Sequence, residues 1–149
     1  MWAAFGINRP SGDRTAPYWR HVMVIDVYAA MEDGVWLYEP KTHTLQRYLS
    51  EDIRAATGLQ DFVATAPLNL VYVAHSERMT DISPEERRLY ASVDTGFIGQ
   101  DVYLFCAFRR TRQRFSRCYR ICLGSEGIFA LWHLYGGHAG LFRFSKRYF

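Results

Sequence analysis

Residues 57–106 constrain this chain more than any other part of it. The segment carries an almost continuous apolar run at 68–74 and ends in the sequence Val102-Tyr103-Leu104-Phe105-Cys106. An apolar run of that length predicts a buried strand. Ser83-Pro84-Glu85-Glu86 comes next and supplies a complete helix start. The serine hydroxyl stands at the N-cap, the proline falls where a missing N–H costs nothing, and Glu86 can bond back to the cap. The helix it opens is expected over 84–106, with Leu89, Phe97, Ile98, Val102 and Phe105 at helical spacing. Ser92, Gly96 and Gly99 form a second, small stripe. Each helical glycine costs about 1 kcal/mol relative to alanine. Close backbone approach by another helix, within one subunit or between two, or by a ligand would justify that cost.

Upstream the pattern changes period. Residues 1–7 read as the last turns of a helix, stopped by the Asn8-Arg9-Pro10-Ser11-Gly12-Asp13 cluster. Residues 14–23 are irregular around Pro17. Ile25–Met31, the Glu32-Asp33-Gly34 turn and residues 35–38 predict a hairpin, since Asp-Gly between two β-prone runs supplies the backbone freedom a tight turn requires. A turn at 40–43 and a third strand at Thr44–Leu49 complete an antiparallel meander. Ser50 is expected to cap a short helix over 51–57 that stops at Gly58.

The charge distribution divides the 149 residues in two. Residues 1–106 hold nine Lys/Arg against fourteen Asp/Glu, a balance of −5, and residues 107–149 hold nine against one, a balance of +8, which together give the net +3. The expected division is a core over 1–107 and a divergent basic, aromatic tail over 108–149. The length suits one globular domain rather than two. Three cysteines make an odd set that argues for reduced thiols in a cytoplasm. No apolar run approaches a membrane span, and the apolar residues 1–7 are too short for a signal peptide.

Several pieces occur in one order: Arg14-Thr15-Ala16-Pro17 ahead of a strand, the meander with its Asp-Gly turn, the block 57–74, and the helix from Glu85 to Cys106. Together they resemble the middle of the nitroreductase family, close to its short flavin-dependent members, over roughly residues 1–107. The resemblance implies an α+β fold, a mainly antiparallel sheet flanked by helices with one long central helix, and a homodimer holding FMN at the subunit interface. It also implies hydride transfer from NAD(P)H through the flavin to a nitro compound, a quinone or a similar small-molecule acceptor. After Ala-Pro the family commonly places Ser and, three residues on, Asn against the flavin. Here Tyr18 and His21 hold those places, so Pro17, Tyr18 and His21 are the expected cofactor contacts. No catalytic residue is assigned.

The chain departs from the family pattern elsewhere. The opening helix with its basic residues and serine is absent, so the chain reads as N-terminally truncated. Phe108-Arg109-Arg110 stands where a Glu-Gly pair is expected, and the last Arg-bearing segment is not recognisable. A phosphate needs helix N-termini or converging cations, so impaired FMN binding is expected. A non-catalytic dimeric remnant of the family is the alternative.

The tail offers a competing constellation. Cys118, Cys122, His133 and His138 approach zinc-finger spacing, with a short central gap, and the arginines of 109–120 interleave with Phe115 and Tyr119 as in phosphate-binding surfaces. Crowding of Arg, Cys, Ser and Phe just where the resemblance stops is also what a shifted reading frame or a fused end produces. That reading is preferred to a nucleic-acid or zinc-binding module, and no metal site is expected. His43 and His75, at a turn and a strand end, are not read as catalytic.

Overall fold

The structure is a computed structural model that describes residues 1–58 and 60–109 in full and residues 114–120 and 128–133 as backbone. A single helical turn, α1 (Trp2–Phe5), precedes β1 (Ile25–Met31), β2 (Gly34–Glu39), β3 (Thr44–Leu49), β4 (Asn69–Ala74), the long helix α2 (Pro84–Phe108), β5 (Arg114–Arg120) and β6 (Ile128–His133). The strands form one sheet in the order β3-β2-β1-β4-β6-β5. Every pairing is antiparallel, with Tyr28 opposite Leu37 and Val71 in the centre. The α+β architecture with its antiparallel sheet and long helix is as the sequence predicts.

The meander follows from its turn. Gly34 has φ +136°, and a Cβ there would collide with the Leu49 carbonyl oxygen, so only glycine lets the chain turn from β1 into β2 against the end of β3. The central strands β1 and β4 are buried on both faces because apolar residues occupy nearly every position along them, whereas β3 at the edge is exposed. Val27, Leu70 and Tyr72 face α1 and α2, where Ala91, Ile98 and Val102 meet them. Tyr28, Ala30, Val71 and Val73 face the other way, onto Val35 and Ile53.

One expected element is corrected. In place of a capped helix over 51–57 there is a single 3-10 turn, Arg54–Ala56, with no side-chain cap. Asp52 Oδ1 accepts the Arg54 backbone N–H at 3.0 Å, and its carboxylate also takes the guanidinium. This local side chain to backbone bond competes with helix formation. Arg54 Nη1 donates to the Ala66 carbonyl at 2.9 Å, while fully buried Asn69 donates to Thr57 Oγ1 and the Val63 carbonyl. These bonds fasten the loop between β3 and β4 onto the sheet.

The start of α2 is as read. Glu86 N–H donates to Ser83 Oγ at 3.2 Å and Ser83 N–H donates to Glu86 Oε2 at 2.9 Å. The expected apolar stripe, however, splits in two. Ile98 and Val102 point into the core, whereas Leu89, Phe97 and Phe105 are 59%, 44% and 45% exposed.

Candidate functional site

The segment from Arg14 to His21 passes between α1 and the first half of α2. Trp19 is its anchor, a buried indole 6.3 Å from the Tyr90 ring of α2. Its backbone N–H donates to Asp94 Oδ2 at 3.0 Å. Asp94 is itself buried, and burial pushes its carboxyl up to about 6 although the Trp19 N–H works the other way. Arg20 and His21 then adopt φ values of 44° and 58°, left-handed backbone that costs non-glycine residues on the order of 1–3 kcal/mol each.

Of the residues the sequence singled out, Pro17 is exposed, Tyr18 half-buried and His21 exposed. The fold brings the last two together, with ring centroids 5.4 Å apart and nearly perpendicular. Tyr18 also packs edge-on to Phe5, and His21 Nδ1 lies 3.6 Å from Asp13. Arg14 is buried behind them. Its guanidinium lies 3.9 Å over the Phe5 ring and donates to the Phe5 carbonyl, leaving Nε and Nη2 buried with no hydrogen-bond acceptor among the described residues.

These residues fit one part of an FMN site. Tyr18 and His21 present an aromatic surface and an exposed ring nitrogen suited to a flavin ring. A phosphate needs several converging donors. Arg20 is exposed, but its guanidinium rests 5.0 Å over the Trp19 ring, and Arg14 is sealed in the core. Among the described residues no cluster of donors forms a phosphate clamp beside the loop.

A second polar group, missed in the sequence, joins the ends of β1 and β4. Arg78 donates from Nη1 and Nη2 to both oxygens of Asp26 at 2.8 and 3.0 Å. His75 Nε2 also lies 2.8 Å from Asp26 Oδ2, a short ionic contact directed off the N–H axis, and its Nδ1 meets Glu77. Burial alone would raise the Asp26 carboxyl, but the His75 and Arg78 contacts outweigh it and hold it at about 2. Asp26 in turn raises His75. The available signal is His75 and Arg78 immediately after a strand, with a lone acid opening the neighbouring strand.

The outer face of α2 is the third feature. Leu89, Tyr90, Val93, Phe97, Leu104 and Phe108 follow one another along it and are 38–85% exposed. Gly96 lies beside them with no described atom within 4 Å of where a Cβ would stand, so packing among the described residues does not explain that glycine. A mostly apolar cavity of about 430 Å³ lies between α1, the β2–β3 turn and the end of α2. At its wall Tyr38 Oη and His43 Nδ1 share a 2.8 Å hydrogen bond.

The side chains of Cys118, Cys122, His133 and His138 lie outside the described residues. Among the described residues no group of three or more His, Cys, Asp or Glu side chains is arranged to hold a metal, and no helix is long and apolar enough to cross a membrane.

No family model matches the chain. A provisionally named nitroreductase of Methanocaldococcus jannaschii is 29% identical over 114 residues, which are 70% of this chain and 58% of the relative. A crystal structure of a provisionally named nitroreductase from Ralstonia eutropha JMP134 superposes with a TM-score of 0.66 at 43% identity, covering 71% of this chain and 51% of that one. Another from Anabaena variabilis ATCC 29413 gives a TM-score of 0.50 at 19% identity, over 67% of this chain and 22% of that one, a likeness of fold alone. The chain thus spans little more than half the length of the first two proteins.

Proposed function

We infer, from a chain whose sequence and fold are of the nitroreductase family, that it is an FMN-dependent oxidoreductase acting as a homodimer in the cytoplasm. Bound FMN would supply the two-electron chemistry, accepting hydride from NAD(P)H and passing it to a nitro compound, a quinone or a similar acceptor. The chain's own residues bind and orient. Pro17, Tyr18 and His21 form one wall against the flavin ring, with the exposed His21 nitrogen as a hydrogen-bond partner. The core over 1–107 carries this wall, and the basic tail over 108–149 stands apart from it in composition.

The observation that carries the reading is the left-handed Arg20-His21 backbone held against α2, next to a helix face that the described residues leave exposed. A helix that is apolar on both sides is stable when both sides are covered. A second copy covers the outer one and closes the flavin site. Among the described residues no phosphate clamp stands beside this wall, and that sets the expected strength. Charge-assisted hydrogen bonds contribute about 1.5–3 kcal/mol each, so lacking two weakens FMN by on the order of a hundredfold or more.

Titration of the purified protein with FMN, followed by flavin fluorescence, tests this reading together with NAD(P)H oxidation and sedimentation. The expected outcome is a dimer that binds FMN reversibly, loses it on gel filtration and turns over slowly. A dimer with no FMN binding at millimolar flavin would favour the non-catalytic reading. A monomer without flavin binding would overturn both.

A further inference from the structure

An isolated carboxyl group lies on the buried side of α2. Asp94 is 3% exposed and shares that side with Ala91, Ile98 and Val102. Burying a carboxylate among apolar neighbours is costly unless it is paired or hydrogen-bonded. Among the described residues Asp94 has no salt-bridge partner. Its hydrogen bond is to the Trp19 backbone N–H, 75 positions away in the sequence, at 3.0 Å. The position therefore suits a task that an apolar residue could not perform.

The residues around and after Trp19 set that task. Tyr90, one turn earlier on α2, packs against the Trp19 ring, so the helix grips this residue by its side chain and its backbone together. Arg20 and His21 come next in left-handed conformation, and Val22 N–H returns to the Trp19 carbonyl at 2.8 Å. Two successive non-glycine residues with positive φ persist only where the surroundings hold them. The Asp94 bond fixes the Tyr18–Trp19 peptide, one residue ahead of them. It thereby sets the direction in which Tyr18 and His21 present their rings.

We propose that Asp94 is a positioning residue for the flavin-facing loop, holding Tyr18 and His21 in their binding orientation through the Trp19 amide. This rests on the FMN reading above. Asp94 does not touch the flavin; it raises the population of the loop conformation that does. If removing the acceptor lowers that population to about a tenth, the apparent FMN dissociation constant rises about tenfold.

The test compares Asp94→Ala and Asp94→Asn with the unmodified chain and with Ser83→Ala, which weakens the start of the same helix without touching the Trp19 amide or its acceptor. Asparagine keeps an oxygen acceptor of the same shape and is the conservative rescue. Two readouts are taken: FMN dissociation constants by fluorescence titration, and protection of the Trp19 amide in the flavin-free protein by hydrogen exchange. The expected result for Asp94→Ala is weaker FMN binding by about tenfold and loss of Trp19 protection. Asp94→Asn should stay within about threefold with protection retained, and Ser83→Ala should leave both readouts unchanged. Unchanged FMN affinity in Asp94→Ala, or equal losses in both Asp94 variants, would overturn the proposal. So would a Trp19 amide that stays protected without the acceptor. If Asp94→Ala does not fold, Asp94→Asn decides by its affinity and its Trp19 protection, a loss of either overturning the proposal. If the unmodified chain binds no FMN, the flavin reading fails, and the positioning role falls with it even where Trp19 protection still depends on residue 94.

Discussion

Replacing Asp26 by asparagine probes the polar group that ties β1 to the segment after β4, and its effect should depend on pH in a defined way. The carboxyl sits at about 2 against an ordinary 3.8. A depressed folded value means that this carboxylate contributes stability above the unfolded value and loses it as pH falls through the folded one. The difference corresponds to at most ~2.5 kcal/mol. The Asp26 side chain is 25% exposed, and solvent screening reduces the figure to about 1–2 kcal/mol. His75 carries the opposite sign. Its pKa is raised, so its contribution is complete below the ordinary 6.5 and is lost as pH rises through the folded value. Asp26→Asn should therefore destabilise most between about pH 4.5 and 6, where the carboxylate and the imidazolium are both charged. The loss should shrink as pH rises through the raised His75 value and the imidazolium neutralises, and should all but vanish as pH falls to about 2. Urea unfolding followed by circular dichroism at several pH values measures this directly. A loss of equal size at every pH would refute the electrostatic account and leave only packing and Arg78 hydrogen-bond geometry.

Three further outcomes are expected. Asn69→Ala removes both donors that hold the β3–β4 loop to the sheet, leaving Thr57 Oγ1 and the Val63 carbonyl short of a partner; the expected loss is about 2–3 kcal/mol in urea unfolding, and a loss under about 1 kcal/mol would mean that the loop is held by its apolar contacts. Gly34→Ala introduces a methyl group against the Leu49 carbonyl at φ +136°; it should lower the melting temperature by at least several degrees, corresponding to ~2 kcal/mol or more, and an unchanged melting curve would contradict the assigned turn. Gly96→Leu places its Cβ where no described atom lies within 4 Å and improves helix propensity by about 1 kcal/mol; the folded subunit should tolerate it while dimerisation measured by sedimentation weakens tenfold or more, and unimpaired dimerisation would place the interface elsewhere.

Much of the fold is local enough to be legible in the sequence. The Asp33-Gly34 turn, the apolar run that forms β4 and the Ser83-Glu86 capping box each encode their geometry within a few neighbouring residues. The short helix expected over 51–57 does not form because Asp52 folds back onto the Arg54 N–H, a preference that competes with a helix cap over the same few residues. The apolar stripe of α2 departs from expectation for a different reason. Periodicity shows that residues lie on one side of a helix, but a helix with apolar residues on two sides has no single period to read. Only the packed sheet shows that Ile98 and Val102 face inward and Leu89 and Phe97 outward.

The candidate site divides along the same line. The sequence determined that Pro17, Tyr18 and His21 lie on an irregular segment, because proline and the loss of apolar period are written in consecutive residues. It also determined the long capped helix beside which that segment runs. It did not reveal Asp94 as the acceptor for Trp19, nor Asp26 as the partner of His75 and Arg78. Those pairs are separated by many turns of chain, and a buried carboxylate is indistinguishable by sequence from one on a wet helix face. Burial and the direction of a distant N–H decide between them, and both exist only once the sheet has folded against α2.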